Sequence, residues 1–266
     1  MFFLSWFRKR RRVKLLDEPF PSWWLPILDR NVGHYRLLSD AQKKQVRDIT
    51  TILIAEKRWE SSGGMVMSDE VKVTIAAQAA LLLLGMEHDY YRRVHWIIVY
   101  PRHIVVPDVD YFGDEDDTFP PHVVSGLADH SGDVSLSWEE VLHEARDPEG
   151  RFNVVLHEFA HQLDFVDGVV DGTPLISDPN LADRWGRVMQ AAFDRHYQKM
   201  KKHQESFFTE HASDDESEFF SDASEAFFCA PHDLSEEEPE VFELLQAYYK
   251  IDTKKWFTKG ATHPHR

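Results

Sequence analysis

Two histidines four residues apart, inside a segment apolar enough to be a buried helix, constrain this chain more than any other feature. Residues 152–165 read FNVVLHEFAHQLDF, and Val154, Val155, Leu156, Phe159 and Leu163 predict a helix packed in a core. Side chains at i and i+4 lie about 40° apart around such a helix, so the imidazoles of His157 and His161 can point at one ion. Glu158 projects from the neighbouring flank, from which the acid of this pattern takes a proton from a metal-bound water. The spacing points to a metal site built for hydrolysis. Asp164, just after the second histidine, is placed to orient an imidazole.

A catalytic zinc usually has three protein ligands and one open position, so a third donor must come from elsewhere. Two candidates compete. A sharp turn after the helix would bring in Asp167, ten residues after His157, although the metzincin form of that turn has glycine where this chain has Asp164. A later helix, Glu216 to Cys229, offers Glu218, Asp222 and Glu225 at i, i+4 and i+7, an acidic stripe beside Phe219, Ala223, Ala226 and Phe227. Three carboxylates on one stripe repel each other. A metal and its imidazoles would offset that, with Glu218 as ligand, Asp222 accepting an imidazole N–H and Glu225 as a further orienting group.

Composition narrows the alternatives. The 266 residues carry 30 Lys plus Arg against 46 Asp plus Glu, a net charge of -16, which argues against direct binding of nucleic acid. The lone cysteine, Cys229, excludes disulfide scaffolds and cysteine-based zinc modules and fits a reducing, cytoplasmic setting. No stretch reaches the roughly 20 apolar residues that span a bilayer. At the start, Phe2, Phe3, Leu4, Trp6 and Phe7 precede the basic run Arg8 to Arg12, the reverse of a secretory signal. That segment reads as a frayed terminus, or as a weak contact with anionic lipid.

Along the chain, Ser39-Asp40 predicts the cap of a helix running to about Trp59, with Val46, Ile49, Ile52, Leu53 and Lys57 at helical spacing. Ser68 or Asp69 starts a second helix to Gly85, apolar almost all round and therefore buried on most faces. Val94 to Tyr100 and Ile104 to Val106 predict two strands. Pro107 to Asp133, with Asp114-Glu115-Asp116-Asp117, reads as a solvated loop. Val134 to Trp138 alternates as a half-buried or edge strand would, and as an edge strand it could hold an extended peptide. Helices follow over Trp138 to Ala145, Phe152 to Phe165, Leu181 to Lys202, Glu216 to Cys229 and Pro239 to Lys250. The fold expected is α+β, mainly helical with a small mixed sheet. It divides into an N-terminal aromatic and basic lead (1–38), one domain (39–250) and a C-terminal tail (251–266).

The run His157 to Asp164, then Asp167-Gly168, Glu218-Phe219-Phe220 and Ser224-Glu225-Ala226-Phe227-Phe228, resembles the Mlc titration factor A family of zinc-dependent peptidases. Upstream, Ile75 to Leu83 and Ile97 to Pro101 also look like that family, so the resemblance spans roughly Ser39 to Lys250. It implies a zincin-like metallopeptidase of gluzincin type, similar to the catalytic domain of anthrax lethal factor. One Zn2+ per chain would be held by His157, His161 and Glu218, with Glu158 as general base acting on a peptide or protein substrate. It further implies aminopeptidase activity and a regulatory role, in which the protein sequesters a sugar-responsive transcriptional repressor of the Mlc type. The family has a tyrosine seven residues before the ligand glutamate, where it would stabilise the oxyanion; this chain has His211. That histidine, Tyr197 or His203 takes the role, or His211 is one more polar residue in the acidic loop Glu210 to Glu216.

Overall fold

The computed structural model describes residues 2–106, 122–128 and 132–258. The chain runs α1 (Phe2–Asp17), α2 (Leu25–Asn31), α3 (Gly33–Leu37), α4 (Asp40–Glu56), β1 (Arg58–Ser61), α5 (Asp69–Leu81), β2 (Trp96–Tyr100), β3 (Ile104–Val106), β4 (His122–Val124), β5 (Gly126–Ala128) and β6 (Asp133–Ser137). There follow α6 (Trp138–Arg146), α7 (Val154–Asp164), α8 (Pro179–Lys201), α9 (Glu216–Cys229), α10 (Pro231–Glu237) and α11 (Pro239–Tyr249). The architecture is α+β, mainly helical.

One mixed sheet has the order β1-β2-β6-β5, in which β1, β2 and β6 are parallel and β5 is antiparallel to β6. A separate hairpin pairs β3 with β4. Of the two readings of β6, half-buried or edge, the first holds: the strand is interior and alternately buried, and β5 is the edge beside it. Alternation of apolar and polar residues reports the two faces of a sheet, not whether its flanks are paired, so Val134 and Leu136 do not decide between the two. β4 and β5 occupy part of the stretch read as a loop; the acidic run Asp114 to Asp117 lies outside the described residues.

Helix α4 begins with the capping box expected at Ser39, completed by Gln42, but it stops at Glu56, and Trp59 lies in β1 rather than in the helix. The cause is Lys57. Its ammonium turns inward to the carbonyls of Tyr91 and Val94, a tie to the segment before β2 that local periodicity does not encode. The N-terminus is not frayed either. α1 lies on α4, where Arg12 forms two hydrogen bonds with the Glu56 carboxylate (2.8 and 2.7 Å) and one with Asp89 (2.7 Å).

α5 is buried along almost its whole length, as its composition predicts, with Ala76, Ala77, Ala79 and Ala80 all inaccessible. Its continuation meets the C-terminal helix so closely that a Cβ at Gly85 would lie 2.2 Å from the Tyr249 carbonyl oxygen. Past α11, Thr253 donates to the Phe227 carbonyl and Trp256 packs on Phe228.

One polar side chain on α5 fixes where the histidine helix starts. Gln78 accepts from Asn153 Nδ2 (2.8 Å), and Asn153 Oδ1 in turn accepts the Leu156 N–H (3.1 Å), capping α7. Asn153→Ala removes the cap and strands a buried amide, so it is expected to cost about 2 kcal/mol. At this chain length that lowers Tm by roughly 4–8 °C, read by thermal unfolding.

Candidate metal centre

α7 and α9 pack directly on each other. Asp215 caps α9 by accepting the Glu218 N–H (2.8 Å), which puts Glu218 in the first turn, facing the histidine helix. The two oxygens of Glu218 then meet three imidazoles. Oε2 is 3.1 Å from His157 Nε2 and 3.2 Å from His211 Nε2, and Oε1 is 3.3 Å from His161 Nε2. His211 sits in a short 3-10 turn with its Nδ1 hydrogen-bonded to Asp214, and its ring lies nearly parallel to that of His157 at 6.3 Å.

The electrostatics follow from this crowding. Burial alone would raise the Glu218 pKa, but hydrogen bonds from His157 and His161 win and hold it well below the carboxylate range. Burial opposes charge on His157 as well, yet Glu218 and Glu225 outweigh it and raise the pKa of that ring, whereas burial keeps His161 below the ordinary histidine value. Among the described residues, donor atoms of His157, His211 and Glu218 lie within 4.8 Å of one another. Imidazole nitrogens and a carboxylate are the donors that zinc takes, so this donor set fits a divalent ion.

The supporting groups differ in part from expectation. Asp164 reaches His161 through an intermediary: Ser217 Oγ donates to Asp164 (2.8 Å) and lies 3.0 Å from His161 Nδ1. An ionised carboxylate only accepts, so Ser217 Oγ gives its proton to Asp164 and accepts the His161 Nδ1–H. The Gly172 N–H also binds Asp164 (3.1 Å), and Trp185 holds the Gly172 carbonyl (3.0 Å). Asp222 does not accept an imidazole N–H; its carboxylate is engaged by the Thr209 hydroxyl (2.9 Å). The neighbour of His157 Nδ1 is Glu225, at 3.5 Å, whose other oxygen accepts the Asn153 N–H. Both acids lie on the stripe read from sequence, and the rotation of α9 decides which faces the imidazole.

Of the competing candidates, Asp167 accepts the Val169 N–H within its own loop. Tyr197 stacks on Phe193 of its own helix, and His203 closes the turn after α8 in a left-handed conformation. Removing the Ser217 relay should loosen the site: Ser217→Ala is expected to lower zinc affinity by about 10–100-fold, measured by competition with a chromogenic chelator.

Glu158 is buried beside the edge strand. Burial pushes its pKa up to about 7, helped by Glu218 and Glu225 and opposed by His157 and by the Ala128 N–H that it accepts. Gly126 lies against it: a Cβ there would be 2.4 Å from Glu158 Oε1 and 2.6 Å from Val154 Cγ2. Since the Ser137 N–H binds the Ser125 carbonyl (2.8 Å), alternation along β5 turns the N–H and C=O of Gly126 away from β6, toward the flank that no described strand pairs.

Residues 4–250 match the family described as Glucose-regulated metallo-peptidase M90. The chain belongs to that family. Its relatives include an uncharacterized protein of Synechocystis, 28% identical over 248 residues, which cover 91% of this chain and 88% of that protein. The Mlc titration factor A of Pectobacterium atrosepticum is 28% identical over 254 residues, 93% and 91% of the two chains. That of Yersinia pestis (strain Pestoides F) is 25% identical over 238 residues, 85% and 86%. For a member of a metallopeptidase family, the imidazoles gathered on Glu218 are a group that could hold a metal. Asn153, Ser217 and Gly126 are the residues of this centre that the sequence reading did not find. Only Asn153 carries a local signal, an asparagine three residues before Leu156 at a helix start.

Proposed function

We propose that this M90 protein is a zinc-dependent peptidase of zincin-like type, similar in its catalytic part to anthrax lethal factor. His157, His161 and Glu218 hold one Zn2+ per chain and Glu158 is the general base. The observation that carries the reading is the juxtaposition of a buried carboxyl, raised to about 7, with three imidazoles gathered on one carboxylate. When bound, the ion supplies Lewis acidity, lowering the pKa of water to about 7 and polarising the scissile carbonyl. Glu158 takes the proton of the attacking water and returns it to the leaving nitrogen. His211, 3.2 Å from Glu218, is positioned to donate a hydrogen bond to the carbonyl oxygen as it gains charge. The Gly126 N–H and C=O hold an extended substrate as an added strand along β5.

The name of the Pectobacterium and Yersinia relatives favours a second reading, in which this chain binds and sequesters an Mlc-type repressor on a metal-stabilised scaffold in the cytoplasm. Chelation separates the two. Under the first reading, dialysis against a chelator abolishes cleavage of a fluorogenic peptide panel and one equivalent of zinc restores it. Cleavage that persists in metal-free protein would exclude the peptidase assignment.

A further inference from the structure

A second concave site lies far from the acidic centre in character. Between α1 and the segments that precede β1 and β2 is a cavity of about 470 Å³, and Arg8, Arg11, Arg12, Lys57, Arg92 and His95 line it. The one acid among its walls, Glu56, has both oxygens on Arg12 (2.8 and 2.7 Å). Arg92 has no partner among the described residues, Arg11 makes a single 3.4 Å contact with the Ala55 carbonyl, and Arg8 lies 3.6 Å from Asp89. Lys57 is 8% exposed. Burial above all, with Arg12 and Arg8, pushes its pKa down to about 8 against the pull of Glu56 and Asp89, and its ammonium is held by the Tyr91 and Val94 carbonyls, so the charge open to an anion is that of Arg8, Arg11 and Arg92.

The rim of this cleft is aromatic. Phe7 lines it and is 59% exposed, and Trp6 beside it is 53% exposed with Arg10 over its ring at 5.3 Å. Large aromatic rings left in water beside a cationic cleft gain nothing from a small soluble anion, but they fit a surface whose charge lies above an apolar layer. The chain as a whole carries -16, so an anionic bilayer repels it on average, and a basic face such as this one is needed to approach it. Among the described residues no helix is long and apolar enough to cross a membrane, so the contact is peripheral.

We propose that α1 and the cleft beneath it form a docking surface for anionic phospholipid, the cationic cleft taking the headgroup phosphate and Trp6 and Phe7 entering the boundary with the acyl chains. The surface is separate from the metal centre and does not depend on its assignment. The test is co-sedimentation of the full chain with vesicles of phosphatidylcholine alone or mixed with phosphatidylglycerol. Binding is expected only to the mixed vesicles and should fall with added salt. Arg11→Glu with Arg92→Glu should weaken it by about tenfold or more, and Trp6→Ser with Phe7→Ser should weaken it at unchanged charge. Both pairs are exposed, and thermal unfolding verifies that each variant is folded. No binding to mixed vesicles, or equal binding by the charge-reversed variant, overturns the proposal. So does displacement by free glycerol phosphate together with an inert aromatic pair, which would mark a site for a soluble anion instead.

Discussion

Glu158→Gln is expected to slow peptide hydrolysis by on the order of 10²–10⁴-fold while the protein keeps its zinc. The substitution preserves shape, and the amide oxygen can still accept the Ala128 N–H that the carboxylate now receives. What it removes is the ability to take a proton. The proposed ligands His157, His161 and Glu218 are untouched, so metal content should stay at one equivalent, which elemental analysis checks beside kcat/KM on a fluorogenic peptide. A variant that cleaves as fast as the parent would end the assignment of Glu158 as base. A variant that loses both zinc and activity would show that Glu158 supports the cluster and does not act on water.

The second large effect comes from one methyl group. Gly126→Ala would set a Cβ 2.4 Å from Glu158 Oε1, 2.7 Å from its Cγ and 2.6 Å from Val154 Cγ2. Glu158 and Val154 are both buried on the first turns of α7, so neither has an open side into which it can swing. Either the carboxylate rotates off its line or the edge strand moves away from the helix. A displacement of about 1 Å at a reacting group costs on the order of 10²-fold in rate, and overpacking costs about 1–3 kcal/mol in stability. Rate, zinc content and Tm measured together separate these: the expected pattern is a large loss of rate, retained zinc and a modest fall in Tm. An unchanged rate would mean that substrate does not use this face of Glu158.

The helices that carry the site were legible because each repeats its chemistry along the chain. Val154 to Leu163 sets the period of α7, the acidic stripe beside Phe219 and Phe227 sets that of α9, and the unbroken apolar run of α5 announces its burial. The edge strand was not legible. β5 is three residues long, too short to show a period, and its role depends on pairing with β6 and on the helix packed against its face. Ser217 precedes Glu218 with no signal of its own; it matters because α9 turns its hydroxyl between His161 and Asp164. Asp222 and Glu225 differ by less than one helical turn, and only the packing of α9 on α7 and on Thr209 separates their duties. Lys57 fitted a helical spacing and ended the helix, because two distant carbonyls compete for its ammonium.

The close approach of Gly85 to Tyr249 has a bearing on biosynthesis. The alanine-rich helix α5 is made well before the partner that seals its end, since Tyr249 follows Gly85 by about 160 residues. Until then a nascent polypeptide holds an apolar rod without its cover, a species prone to aggregation and a natural client for holdase chaperones. Function is withheld over the same interval, since no fragment ending before α9 contains Glu218.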